Sequence, residues 1–132
     1  MTLEDMDVGA STKGAVTVKP EHFASGIVAG TPDVFSTPAL GALVEKTAAE
    51  WVENYLDDSE MTVGTQLVIN HTGATPERMT VRVTLTLAGR DGRRLDFEWR
   101  AEDDSEEVGH GTHQRFVLDR ARFLERLATK KT

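Results

Sequence analysis

The spacing of apolar residues changes partway along this chain from helical to alternating, and that change divides the sequence. In "STPALGALVEKTAAEWVENY", residues 36–55, side chains placed about 100° apart put Leu40, Gly41, Ala42, Val44, Ala48, Trp51, Val52, Tyr55 and the following Leu56 on one broad apolar arc. Lys46, Glu50, Glu53 and Asp57 collect on the opposite, wettable side. Ser36 or Thr37 suits an N-cap and Pro38 a first helical position, so a long helix is predicted from about 37 to 56, ended by "DDSE". One charge is out of place: Glu45 falls inside the apolar arc, among Pro38, Gly41, Ala42, Ala49, Val52 and Leu56.

Upstream, "GAVTVKP" reads as a short strand stopped by Pro20, and "EHFASGIVAGTPDVF" as a turn of helix followed by a loop packed over something. Beyond residue 60 the period is two. In "VGTQLVINHT" the residues Thr65, Leu67, Ile69 and His71 share one face, with Gln66, Val68, Asn70 and Thr72 on the other. "TVRVTLTLAG" turns Val81, Val83, Leu85 and Leu87 inward, and "RLDFEWRA" repeats the pattern through Leu95, Phe97, Trp99 and Ala101. "GATPER" and "RDG" are turns, the Asp-Gly pair accepting the positive φ that hairpins demand. A final strand, "VGHGTHQRFVL", precedes a short terminal helix, "DRARFLERLATKK".

Strand, long helix and four more strands joined by short turns make an α+β chain, with an antiparallel sheet of about five strands covered on one face by the helix. The apolar arc is wider than a flat sheet face requires; a sheet curved around the helix, or a second subunit, accounts for the excess. Residues 1–12 carry little pattern and read as a flexible lead-in, and residues 13–132 as a single domain of ordinary size.

Composition removes several kinds of function. None of the 132 residues is Cys, which excludes disulfides, thiolate metal sites and cysteine nucleophiles. The formal net charge of −7 opposes nucleic-acid binding, which depends on Lys and Arg neutralising phosphates. No stretch approaches the ~20 apolar residues of a membrane span, and the N-terminus lacks a basic start followed by an apolar run, so a cytoplasmic protein without a membrane partner is expected. The acidic cluster "EDDSEE", 102–107, reads as a solvated loop. An anionic ligand would need a local basic patch, for which Arg78, Arg82, Arg90, Arg93, Arg94 and Arg115 are candidates.

Three residues could carry chemistry. Glu45, a carboxylate among apolar groups, is expected to have a raised pKa and to suit a general base; a partly buried acid satisfied by a serine, threonine or backbone group is the bland explanation. His71 ends the inward-facing run of its strand and projects from the sheet rim toward the helix. Thr37 is a helix cap whose hydroxyl could alternatively face a substrate. Together a hydroxyl, a carboxylate and an imidazole offer the parts of a nucleophilic triad or of a water-activating pair. Zinc is not expected, because His110 and His113 point to opposite faces of their strand and no HExxH is present. No GxGxxG, Walker or GxSxG motif occurs, and Gly109 and Gly111 read as places where a strand bends or a backbone comes close.

The arrangement "VFSTPALGALVEKTAAEW", "VGTQLVINHTGATP", "VTLTLAGRDGRRLDFEWRA" and "VGHGTHQRF" resembles the hotdog-fold acyl-CoA thioesterases, in particular the fluoroacetyl-coenzyme A thioesterase-like family, over roughly residues 13–127. The resemblance implies a long helix wrapped by an antiparallel sheet, a homodimer paired through its sheets, and active sites at the subunit boundary; it leaves open whether dimers pair further into tetramers. It also implies roles: Thr37, Glu45 and His71 match the family's catalytic threonine, glutamate and histidine. Gly64 matches the glycine whose backbone lies against the thioester, and Arg115 a family arginine near the cofactor or the interface. Thr31 stands where the fluoroacetyl-selective member has an aromatic lid residue, which puts fluorine selectivity in doubt.

The expectation is therefore an enzyme, a thioester hydrolase acting on a small or medium acyl-CoA through Thr37, Glu45 and His71, with coenzyme A entering only as part of the substrate and with no metal. The rival is a non-catalytic module that binds an acyl thioester or small ligand in the same cavity. A hydratase ranks lower, because hydratases of this fold commonly carry an Asp five residues before a His and no His here has one.

Overall fold

The computed structural model describes residues 1–131. Its elements are β1 (Ser11–Thr17), α1 (Thr37–Glu53), β2 (Glu60–His71), β3 (Thr80–Asp91), β4 (Arg94–Glu102), β5 (Glu107–Asp119) and α2 (Arg120–Ala128). The five strands form one antiparallel sheet in the order β1-β3-β4-β5-β2. It packs around α1, which presents Leu40, Leu43, Val44, Ala48 and Val52 to the core.

Alternation holds where it was expected. Val81, Val83, Leu85 and Leu87 of β3 are fully buried, as are Leu95, Phe97 and Ala101 of β4, with Trp99 nearly so. The β3–β4 turn places Gly92 at φ +61°, in the left-handed region an Asp-Gly turn supplies. At Gly111 a side chain would collide with the Val68 carbonyl of β2. Residues before β1 join the core: Met6 is fully buried, and the Arg90 guanidinium donates to the Leu3 and Met6 carbonyls.

Helix α1 begins as the sequence suggests and ends about a turn early. Ser36, not Thr37, is the N-cap: it is buried, and its Oγ accepts from the Ala39 amide at 3.1 Å. Thr37 is thereby released from capping. Strand β1 and strand β2 are the sheet's two edges, and the outer side of β2, twelve residues long, has no backbone partner among the described residues. Val68, on the outward face of this strand, is 43% exposed.

Candidate active site

An irregularity in β2 decides which of its residues face the helix. Gly64 pairs with Arg115 and Leu67 with His113, but Gln66 pairs with Gln114, so Thr65 is an extra residue in the ladder. Uninterrupted alternation would put Gly64 and His71, seven residues apart, on opposite faces. The bulge puts both inward. Thr65, expected to share a face with Leu67, Ile69 and His71, instead donates its hydroxyl to Gln114, at 3.2 Å from the carbonyl oxygen and 2.9 Å from Oε1.

At one end of the inward face, Thr37 Oγ1 lies 2.8 Å from His71 Nδ1. The pair forms because Thr37 opens α1 and His71 closes β2, and α1 runs alongside that strand. Burial pushes the His71 imidazole below the ordinary histidine pKa, only partly offset by the Gly73 backbone. In the tautomer with Nδ1 unprotonated, the Thr37 O–H donates to it and Nε2 carries the ring proton. Nε2 is buried and has no hydrogen-bond partner among the described residues. An orphaned buried donor costs about 1–3 kcal/mol, so this atom calls for an acceptor from outside.

A second group stands two turns further along α1. Glu45 Oε2 is 3.6 Å from Arg115 Nη1, and the Arg115 Nε and Nη2 donate to Thr62 Oγ1 and to the Thr62 carbonyl, at 3.1 and 3.3 Å. Arg115 Nη1 also donates to His113 Nε2 at 3.2 Å, while His113 Nδ1–H donates to the Gln66 carbonyl at 2.8 Å. Burial pushes the His113 pKa down, as does the Arg115 charge, so this ring too is neutral and serves as the acceptor behind the guanidinium. Its ring stacks on Phe97, centroids 6.1 Å apart. Gly64 completes the group, since a Cβ there would sit 3.0 Å from Glu45 Oε2 and 3.2 Å from Arg115 Nη1.

The predicted site residues thus gather in two half-sites, Thr37 with His71 and Glu45 with Gly64 and Arg115. Eight helical residues separate Thr37 from Glu45, about 12 Å along the axis. Nor is Glu45 sequestered as the apolar arc suggested. Its side chain is 49% exposed in the single chain, on the flank of α1 that the sheet leaves open, and its partner is an arginine rather than a serine, threonine or backbone group.

Other expectations change as well. Asp103, read as part of a solvated acidic loop, is 7% exposed and bonded to the fully buried Thr75, although Glu102, Asp104, Glu106 and Glu107 around it are exposed. Of the candidate arginines, Arg82, Arg93 and Arg94 pair with surface acids and Arg90 holds the N-terminal segment. Arg115 alone of the six pairs with a candidate site carboxylate. His113 was legible only as an inward position on β5; that it backs Arg115 has no signature in the sequence. Among the described residues no three His, Asp or Glu side chains are placed to hold a metal ion, and no helix is long and apolar enough to cross a membrane.

Comparison with known proteins gives this geometry a context. A fluoroacetyl-CoA thioesterase of Streptantibioticus cattleyicolor is 36% identical over 99 residues, 75% of this chain and 71% of that protein. A solved structure of the fluoroacetyl-CoA thioesterase FlK superposes with a TM-score of 0.92 at 32% identity, covering 96% of this chain and 98% of the other. A hot-dog-like protein from Thermanaerovibrio acidaminovorans, 19% identical, superposes with a TM-score of 0.91 over 98% of this chain and 96% of its own, and establishes the hotdog fold alone. Residues 18–121, which take in α1 and strands β2 to β5, match the family described as FlK, fluoroacetyl-CoA-specific thioesterase, and it is to this family that the chain belongs.

Proposed function

We propose that this protein is a thioesterase that hydrolyses acyl-CoA thioesters at sites completed by a second copy of the chain. The observation that carries the reading is the exposed Thr37 hydroxyl 2.8 Å from His71 Nδ1, the other nitrogen of that ring being buried without a hydrogen-bond partner among the described residues. An acceptor is available in the other half-site. Strand β2 is an edge strand, and the register this reading takes is antiparallel pairing with its own copy about a two-fold axis at Val68, with each Thr65 left out of the ladder. That register sets Gly64 of one protomer opposite His71 of its partner. Because the bulge turns both residues inward, Glu45 then approaches the His71 ring across the subunit boundary and is withdrawn from water by the same contact.

The chemistry follows from those positions. His71 Nδ1 takes the proton of the attacking oxygen, either Thr37 Oγ1 or a water that Thr37 and His71 orient. The oxygen adds to the thioester carbonyl, and Glu45 balances the charge that develops on the imidazolium. Collapse of the tetrahedral adduct breaks the C–S bond, the His71 imidazolium gives its proton to the departing coenzyme A thiolate, and the acyl group is released as the acid at once or held on Thr37 until a water activated by His71 in the same way frees it. The backbone at Gly64, uncovered by any side chain, is where the acyl carbonyl comes closest. Arg115 is too buried to meet the coenzyme A phosphates, and its part is to hold Glu45.

Substrate choice is set beyond the two half-sites. The Thr31 hydroxyl is turned back on the Val28 carbonyl at 2.6 Å, so this position supplies no aromatic wall. A small or medium acyl group fits that reading better than strict selection for fluoroacetyl. The testing experiment is a panel of acyl-CoAs assayed for free thiol, with rapid quench of labelled acyl-CoA to separate an acyl-threonine from direct attack by water. Tight acyl-CoA binding with no thiol release would replace the enzyme by a binding module.

A further inference from the structure

We propose that Thr75 and Asp103 are positioning residues of this site, a buried hydrogen-bonded pair that holds the His71 ring in register with Thr37. The inference rests on the Thr37–His71 reading of the active site. Neither residue touches that pair. Both are joined to it through backbone.

Thr75 is fully buried and Asp103 7% exposed, and Thr75 Oγ1 donates to Asp103 Oδ2 at 2.9 Å. The other carboxylate oxygen, Oδ1, accepts from the Ser105 and Glu106 amides at 2.7 and 3.0 Å. Burial raises the Asp103 pKa; the Ser105 amide, the Thr75 hydroxyl and the Glu106 amide together more than reverse this, and the carboxyl lies below its ordinary value. Three hydrogen bonds satisfy this carboxylate, and through them the pair ties the loop that bears Thr75 to the turn between β4 and β5.

Two connections lead from the anchor to the site, one along the chain and one by hydrogen bonds. The first runs along the segment that follows β2: the Thr72 and Gly73 amides donate to the Val108 carbonyl at 2.8 and 3.2 Å, and Thr75 lies four residues after His71. The second crosses to the segment before α1. The Phe35 amide donates to the Thr75 carbonyl at 2.9 Å, and Val34 forms an isolated bridge with Pro76. Phe35 is buried, Ser36 caps α1, and Thr37 is next. Thr75 is therefore the one residue of the 72–79 loop that is tied by its side chain to the β4–β5 turn and by its carbonyl to the threonine-bearing segment. Misplacement by an ångström in a reacting pair costs on the order of 10²-fold in rate, which is what such an anchor guards against.

The test compares Thr75→Val, which keeps the shape and removes the donor, with Thr75→Ser, which restores the hydroxyl, and with Asp103→Asn. For Thr75→Val the expected result is a kcat lower by ~10–100-fold with KM changed by less than about 2-fold, and substantial recovery in Thr75→Ser. The nitrogen resonances of the His71 ring, read by NMR on the same proteins, should move in Thr75→Val and return in Thr75→Ser. A folded Thr75→Val with parental kcat and unmoved His71 resonances overturns the proposal, even if its melting temperature falls. Should Thr75→Val not fold, Asp103→Asn is judged by the same two readouts. His71→Ala separates the two levels: if it keeps full activity the site reading itself fails, whereas an inactive His71→Ala beside a fully active Thr75→Val removes only the positioning role.

Discussion

Glu45 and Arg115 meet at 3.6 Å over a glycine, about two helical turns from the threonine and histidine with which Glu45 is expected to work. On the proposed dimer, a single chain carries two halves of different sites. This relationship makes a prediction that no arrangement within one subunit would share.

Glu45→Gln and His71→Ala should each lower turnover by ~10²–10⁴-fold, the scale for losing a general base or its partner, while the circular dichroism spectrum is unchanged. Coexpressed, the two inactive variants form mixed dimers in which one site inherits both parental residues. Random pairing then restores about a quarter of parental activity. Purified mixed dimers as dead as either parent variant would show that Glu45 and His71 act within one chain or not at all.

Gly64→Ala tests the second half-site. The new methyl falls 3.0 Å from Glu45 Oε2 and 3.2 Å from both Arg115 Nη1 and His113 Cε1, tighter than ordinary contact. Glu45, the half-exposed member, is the group able to move. Activity should drop by ~10-fold or more, with stability lowered by only about 1 kcal/mol, as urea unfolding would register. An unaltered rate would mean that the Glu45 position does not matter to the reaction.

Stability should depend on pH with a definite sign. His71 and His113 both have pKa values depressed by burial, so the folded chain binds these protons less readily than the unfolded one. Their contribution is complete above the unfolded value of about 6.5 and is lost as pH falls through the lower folded values. Asp103, also depressed, adds a separate loss at pH below about 4, as its carboxylate protonates. Urea midpoints should be level from neutral to mildly alkaline pH and decline on acidification, and a midpoint that rises toward pH 5 would contradict the assignment.

Salt reports on coenzyme A binding. Arg115 is buried against Glu45, and Arg82, Arg93 and Arg94 are each paired with an acid, so none of these four stands free for the coenzyme A phosphates. Raising ionic strength from about 0.05 to 0.5 M should therefore raise KM only modestly, within ~3-fold, with kcat unchanged. A steep rise would reveal a phosphate-binding cluster assembled from both subunits.

Much of this protein can be read from local pattern. The burial of Val81, Val83, Leu85, Leu87, Leu95, Phe97 and Ala101 follows from strict alternation, and the position of α1 from its apolar arc and its Ser-Thr-Pro start. Thr37, Glu45 and His71 were recognisable because a polar group in an apolar pattern is conspicuous, and because the order of motifs resembles a known family. Three features that local pattern does not show have one origin: Thr65 turns to Gln114, Asp103 is bonded to Thr75, and Glu45 within the apolar arc stands beside Arg115, each through a partner distant in sequence.

The sequence by itself determined the elements, their order and the side of each that is apolar, because helix and strand periods are set by backbone geometry within a few residues. Only the tertiary structure decided that a bulge at Thr65 turns Gly64 and His71 to the same face, that Ser36 frees Thr37 by capping in its place, and that the Thr75–Asp103 hydrogen bond ties the segment after β2 to the β4–β5 turn. Ladder register and buried polar pairing depend on residues tens of positions apart, whose energies exist only once the sheet has closed around the helix.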